Sequence, residues 1–210
     1  MAGKFTWIDT YEAIADKVYN YRDRRDEFFR LFCDMFSSDG SDGKLKFPAN
    51  GGSSTGYLAV DPFTFFATFN RGRYSEGNNK SRSESIRYII DRMGVAAEVP
   101  ADYDGVPLSF SMRTWFFDGD PSVIDDGDVD RLWDLFVAAI DYADRPEDDT
   151  REVFVNAFDA ARVQKQIKWN ITYALFWIRP YFYLGLDSVN RDYLERNYGI
   201  KLAKQPDGVQ

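Results

Sequence analysis

The sequence predicts a mainly α protein, with a single compact helical domain, long irregular loops and at most a small β element. Apolar residues recur at helical spacing in several segments, whereas the period-two alternation of strands is scarce. Hydrophobic residues make up 44% of the 210-residue chain and aromatic residues 17%, which is enough for a substantial core. We therefore expect one domain over residues 1–200, followed by a polar tail or fragment end at 201–210.

The first part of the chain is predicted to hold helices separated by polar loops. Tyr11 to Phe36 carries an apolar stripe and predicts one helix or two, with the charged run YRDRRDE as an outer face or a break. Residues 37–56 are rich in Gly, Ser and Asp and predict a mobile loop. An Asp-Pro pair at Asp61 is typical of a helix start. Another helix is expected to begin at Ser83 and to end at Gly94.

Helices are also predicted to dominate the second half of the chain. Residues 95–120 are irregular, except that the run SFSMRTWFF fits one short strand. After this region come four segments with apolar residues at three- and four-residue spacing or with residues typical of helix ends. The predicted helices cover residues 126–143, 147–164, 169–178 and 188–198, with Ser188 as the cap of the last helix and Gly199 as the residue after its end.

Composition excludes several function classes. A formal net charge of −8 argues against nonspecific binding to nucleic acid or membranes, although it allows a local basic patch. The chain has no histidine, which removes Ser-His-Asp and Cys-His nucleophile systems and His-ligated zinc. The one cysteine, Cys33, allows no internal disulfide, fits a cytoplasmic protein and is expected to be buried. Neither a signal peptide nor a transmembrane helix is expected.

Four segments, taken in order, carry a family resemblance. They are DPFTFFATFNRG from Asp61, AEVPADYDGVPLSFSMRTWFF from Ala97, VDRLWDLFVAAIDYAD from Val129 and KWNITYALFWIRPYFYLGLDSVNRDYL from Lys168. Together they resemble the region that precedes the motor domain in AAA+ NTPases related to 5-methylcytosine-specific restriction enzyme B (McrB-like). The resemblance covers about Trp7 to Tyr198.

The resemblance implies a division of roles between a motor and a recognition region. In such proteins the motor carries a Walker A motif and uses ATP or GTP with Mg²⁺, while the N-terminal region recognises DNA or another target. This chain has no G-x-x-x-x-G-K-[ST] motif. No cofactor is therefore expected here. Nucleotide, self-association and a partner nuclease subunit are implied only through a missing motor domain.

Eleven residues are candidates for contact with nucleic acid. The dense rings of Lys168–Leu194 fit a pocket for a flipped or modified base, with Asn and Arg side chains reading its edges. The basic residues of Arg71–Arg87 fit phosphate contacts. The candidates are Arg71, Arg73, Lys80, Arg82, Lys168, Trp169, Asn170, Arg179, Tyr181, Asn190 and Arg191. The same residue types also fit structural roles: rings in a core, asparagine caps, an Asp–Arg pair that holds a loop, and a solvated charged loop.

Two functions remain open from the sequence. One is a non-catalytic recognition module of a McrB-like restriction or phage-defence system, which binds DNA, with a modified base as one option. The other is a protein-docking or sensor module of the same kind of system, without nucleic-acid binding. An independent enzyme is disfavoured because no nucleophile–base pattern is present, and neither catalytic nor metal-binding residues are expected.

Overall fold

The computed structural model describes residues 5–37, 44–46, 59–71, 76–109, 116, 127–165 and 167–202. This part of the chain is mainly α, as the sequence predicts, with one small β element. Strands β1 (Phe36–Ser37) and β2 (Leu45–Lys46) pair in parallel. The helices are α1 (Thr6–Tyr19), α2 (Arg25–Met35), α3 (Pro62–Phe69), α4 (Glu76–Met93), α5 (Asp128–Asp144), α6 (Asp148–Arg162), α7 (Asn170–Ile178) and α8 (Ser188–Tyr198).

Helix α3 lies at the centre of the core because its sequence, PFTFFATF, is apolar nearly all round. Its rings meet rings from helices on different sides. Phe65 contacts Phe28 of α2 with ring centroids 5.4 Å apart, and Phe63 contacts Phe136 of α5 at 5.8 Å. Both pairs have edge-to-face geometry, and each such pair stabilises the fold by about 0.5–1.5 kcal/mol beyond the effect of burying its rings. Helices α4, α5 and α7 also pack against α3, while α6 packs along α5.

Buried tryptophans tie the irregular segments to the helices. An indole N–H needs an acceptor once it is removed from water. In three cases a backbone carbonyl between helices supplies that acceptor, so the path of the connecting segment is set by the packed ring. These bonds run from Trp7 of α1 to Asp104 (2.9 Å), from Trp133 of α5 to Val60 (3.0 Å) and from Trp177 of α7 to Pro107 (2.9 Å).

Several predicted helix boundaries are confirmed. The charged run after Tyr19 separates α1 from α2, so Tyr11 to Phe36 holds two helices. Asp61 caps α3, with its Oδ1 accepting a hydrogen bond from the backbone N–H of Thr64 at 2.9 Å. Gly94 and Gly199 follow the ends of α4 and α8 with φ of 62° and 66°, a left-handed conformation that glycine adopts without steric cost.

Three local predictions are wrong. Helix α4 begins at Glu76, so Ser83 lies inside it, and its hydroxyl is hydrogen-bonded to that of Tyr103 at 2.9 Å. Asp187, not Ser188, caps α8, since its Oδ1 accepts from the backbone N–H of Asn190 at 2.7 Å. Cys33 is exposed, because α2 turns its Phe28, Phe32 and Met35 face toward the core and Cys33 lies outside that stripe.

The predicted loop and strand lie largely outside the described residues. Within 37–56, β2 at Leu45–Lys46 is a strand rather than loop, and residues 38–43 and 47–58 are not described. Of the run SFSMRTWFF, the description covers Ser109 and Phe116. Ser109 forms an isolated bridge with Arg71, and the backbone N–H of Phe116 donates to Thr64 Oγ1 at 3.1 Å. Residues 203–210 of the predicted tail are likewise outside it.

Asp61 gives the fold a testable pH dependence. Burial raises the pKa of its carboxyl from 3.8 to about 6, although Thr64 stabilises the charged form, and Oδ2 has no hydrogen-bond partner among the described residues. The folded state therefore binds this proton more tightly than the unfolded state does. Ionisation of Asp61 therefore lowers the free energy of unfolding as pH rises from about 4 to about 6. At neutral pH the loss is about 2–3 kcal/mol.

Asp61→Asn keeps a capping oxygen but cannot ionise. The free energy of unfolding of this variant relative to wild type should therefore rise by about 2–3 kcal/mol between pH 4 and pH 7. Urea unfolding followed by circular dichroism at several pH values measures the difference. A difference that stays constant over this range would show that Asp61 is not a buried titrating group.

Candidate functional site

The aromatic stretch at Lys168–Leu194 is mostly core. Helix α7 buries Trp177 completely, and the chain then reverses so that Gly185 lies against Phe176, with the ring 3.8 Å from where a Cβ would stand. The Tyr183 hydroxyl donates to the carbonyl of Ala139 at 2.8 Å. These rings hold α7 against α1, α3 and α5. Most rings of this stretch are therefore core residues and do not line a pocket for a base.

Arg179 is a structural residue and does not face a ligand. It is 8% exposed, and its Nε and Nη2 donate to both oxygens of Asp144 at 2.7 and 2.9 Å. Nη2 also donates to Asp16 at 2.6 Å, and Nη1 to the carbonyl of Ile178 at 2.9 Å. Burial lowers the pKa of the guanidinium, but the two carboxylates more than offset this and raise it. All three of its nitrogens donate within the fold, so we remove Arg179 from the nucleic-acid candidates.

Trp169 and Arg191 form a surface pair at the start of α7. The Arg191 guanidinium carbon lies 5.1 Å from the centre of the indole, a cation–π distance, and both side chains are half-buried. Arg191 Nε also donates to the carbonyl of Asp187 at 3.2 Å. Lys168 precedes Trp169 and is exposed. This corner therefore combines two cations with a partly accessible ring.

The two candidate asparagines at this corner have local structural partners. Asn170 Oδ1 accepts from the backbone N–H of Lys168 at 2.6 Å, which stabilises the turn before α7. Asn190 Nδ2 donates to the carbonyl of Gly185 at 2.6 Å and so closes the turn before α8. Asn170 thus stabilises the turn before α7, which is close to its predicted capping role. The side chains that this corner leaves for a target are mainly those of Lys168, Trp169 and Arg191.

Tyr181 does not join that corner. It is exposed and follows the C-terminal end of α7, whereas Trp169 precedes the N-terminal end. A nine-residue helix is about 13 Å long, so the two rings lie at opposite ends of it. Together with the burial of Trp177, this separation means that the rings of Lys168–Leu194 do not surround one pocket.

The candidate basic residues of Arg71–Arg87 are also divided between buried and exposed positions. Arg71 is half-buried beside Ser109, and burial lowers the pKa of its guanidinium. Lys80 is exposed on α4, while Arg82 on the same helix is 3% exposed and stacks on Tyr103. A phosphate on a duplex cannot reach a side chain so deeply buried, so Arg82 leaves the DNA-contact set. Arg73 lies outside the described residues.

An exposed apolar surface on α8 was missed by the sequence reasoning. None of the eleven residues of α8, all of them described, is buried. Four large apolar residues on and just after α8 are between 48% and 71% exposed. We call Val189, Tyr193, Tyr198 and Ile200 the α8 surface. Its sequence signal was the four-residue spacing of Val189 and Tyr193 in a helix otherwise rich in charged residues.

The described residues contain no group of three His, Cys, Asp or Glu side chains placed to hold a metal ion. No helix in the described ranges has both the length and the apolar character needed to cross a membrane.

The role of Arg179 can be tested by Arg179→Met, which keeps the apolar stem but removes the guanidinium. Asp16 and Asp144 are more than half exposed at their side chains and can regain water. The loss of unfolding free energy should therefore be about 2 kcal/mol, below the value for a fully buried pair. Urea denaturation measures it. Asp144→Asn should cost more than Asp16→Asn because Asp144 accepts two of the bonds, and the reverse order would contradict this assignment.

Comparison with known proteins gives a family without an assigned role. No curated protein and no solved structure matches the chain. The family described as "Domain of unknown function (DUF8425)" matches residues 7–210, which is nearly the whole sequence. The chain therefore belongs to the DUF8425 family.

Proposed function

We propose that this chain is a non-catalytic recognition module that binds another protein through the α8 surface. The observation that carries this proposal is the exposure of Val189, Tyr193, Tyr198 and Ile200 on a helix that buries none of its residues. Exposed large apolar residues are typical of protein-binding sites, and the four-residue spacing of Val189 and Tyr193 places these two on one face of α8. The rings of Tyr193 and Tyr198 are 6.0 Å apart, so the group includes one continuous aromatic contact.

The chemistry of α8 supports a protein target rather than a membrane or a small molecule. Arg191, Asp192, Glu195 and Arg196 place charges of both signs between the apolar residues along α8, and Arg196 pairs with Asp192 at 3.7 Å. An apolar centre with a mixed polar rim is the usual anatomy of a protein interface. The overall charge of −8 adds to this preference because it repels polyanions.

Nucleic acid is the second candidate target, and the corner of Lys168, Trp169 and Arg191 supports it. The cation–π pair leaves a ring and a guanidinium together at the surface, and stacking on aromatic rings is one way in which proteins hold single-stranded bases. If the target is DNA, the McrB-like resemblance implies that the chain acts in a cytoplasmic restriction or defence system, in which a motor domain outside this sequence uses the nucleotide. A partner nuclease of such a system is then a candidate protein target for α8.

The protein-docking proposal can be tested by placing a photo-crosslinking aromatic residue at Tyr193 in cells that express the chain. A crosslinked protein of defined mass should form, and Val189→Lys in the same chain should remove it. Neither change should alter stability by more than about 0.5 kcal/mol, because α8 buries no side chain. Tyr181, equally an exposed tyrosine but at the end of α7, is the matched control position. Equal crosslinking at both positions, or none at Tyr193, would contradict the proposal.

The nucleic-acid alternative predicts salt-dependent binding. Fluorescence polarisation with methylated duplex, plain duplex and single-stranded DNA should detect it at micromolar protein. Lys168→Ala and Arg191→Ala should each weaken binding and lower the slope of log affinity against log salt by about 1. Arg92→Ala, at an exposed position at the end of α4, should change neither. Absence of binding to all three DNAs would contradict the nucleic-acid alternative.

A further inference from the structure

A second group of accessible rings lies where α5 and α6 meet the turn after α7. Tyr142 in the last turn of α5, Phe154 in α6, and Phe182 and Tyr183 after α7 form a closed circuit of contacts. The ring centroids of neighbouring members are 5.0 to 5.5 Å apart. Phe182 is 40% exposed, and the other three rings are half-buried. We call these four residues the aromatic surface.

Helix α6, which contributes Phe154, is a peripheral helix. All fifteen of its residues are described, and it buries only Thr150 and Ala161. It packs mainly along α5. Val153, next to Phe154, is 59% exposed. The apolar side chains of this helix are therefore only partly removed from water, and a second molecule that covers them gains the remaining hydrophobic free energy.

The surroundings of these rings are acidic. Glu12 and Asp16 are four residues apart on α1 and so share one face of that helix. Asp144 of α5 interacts electrostatically with Glu12 and with Tyr183, which places it beside the aromatic surface. The cation among these groups, Arg179, is 8% exposed and already donates to Asp16 and Asp144. A target therefore meets negative charge here.

The exposed cation that follows α5 does not reverse this charge. Arg145 pairs with Glu147 at 3.3 Å and with Asp149 at 3.1 Å. Asp148 and Glu152, at the start of α6, are exposed as well. Carboxylates of α1, α5 and α6 thus accompany the rings. The charge complement of such a surface is a positively charged segment, and exposed ring faces also attract cations.

We propose that the aromatic surface docks a basic segment of another protein. Apolar side chains of that segment cover Phe154 and Phe182, and its Lys or Arg side chains meet Glu12 and Asp16. Neighbouring rings are in contact with one another, so they form a face rather than a cage, which suits a peptide better than a single small cation.

This site is separate from the α8 surface. The aromatic surface includes the turn after the C-terminal end of α7, whereas α8 reaches the N-terminal end of α7 through Arg191 and Trp169. The inference therefore does not rest on docking through α8. It adds a second binding site to the same chain, with a different preference for charge.

Fluorescence polarisation tests the preference for charge. The probe is a fluorescein-labelled peptide of lysine and leucine at helical spacing, and the matched peptide has glutamate in place of every lysine. The 210-residue protein should bind the lysine peptide, more weakly as salt increases, and should not bind the glutamate peptide. Equal binding of the two peptides, or no binding of the lysine peptide, would overturn the proposal.

Substitutions then locate the site. Phe182→Ala should weaken binding of the lysine peptide about tenfold, because it removes the most exposed ring of the aromatic surface. Tyr181→Ala is its matched control, since Tyr181 is exposed and makes no ring contact with the aromatic surface. Glu12→Gln should weaken binding about threefold, and Glu195→Gln, the same change of charge on α8, should not. Equal effects of the two glutamine variants would show attraction to net charge alone and would refute the site.

Two further measurements guard this interpretation. Phe182→Ala also removes packing on Tyr142, so circular dichroism checks that it is folded, and Glu12→Gln tests the site without removing a ring. Sedimentation velocity of the free protein tests whether a second copy occupies the surface. A dimer that Phe182→Ala disperses would overturn the assignment to a basic segment, and a monomer supports it.

Discussion

The structure depends on the need of buried indole N–H groups for acceptors. Trp7, Trp133 and Trp177 lie in different helices, and each reaches a backbone carbonyl in a segment between helices. A buried donor without a partner costs about 1–3 kcal/mol, so helix packing and loop path cannot be chosen independently. Asn70 extends the same constraint. Its amide donates to the carbonyl of Phe66 and its backbone carbonyl accepts from Ser109, which holds the end of α3 to the segment after α4.

The sequence predicted those elements that are encoded by local signals. Helix α5 follows its apolar spacing, and α3 begins where Asp61 can cap it. Predictions failed where a distant residue decides. Ser83 has a good capping side chain, but it lies inside α4 and pairs with Tyr103, twenty residues away in sequence. No local pattern reports such a partner. The exposure of Cys33 shows the same limit, because an apolar-rich run does not reveal which of its residues faces the core.

The candidate site was predictable in residue type but not in position. Nothing in the sequence distinguishes Arg82 or Arg179 from an exposed arginine, but both are buried. Asp16 and Asp144, which satisfy Arg179, come from helices α1 and α5, far from it along the chain. Pairing across such separations is a tertiary property. The candidates for nucleic-acid contact therefore included these two arginines together with Lys168 and Arg191. In the structure the first two are buried and the last two lie at the surface.

The high aromatic content has two different consequences in this fold. Most rings, such as Phe65 and Trp177, are sealed in the core, where they stabilise the fold and are inaccessible to a target. A target can reach only rings that the fold leaves uncovered, and Tyr193 and Tyr198 are uncovered on a helix that contributes nothing to the core. Substitutions of Tyr193 or Tyr198 therefore carry little folding cost. A recognition surface with this property can change between related proteins without loss of the fold, as target recognition requires.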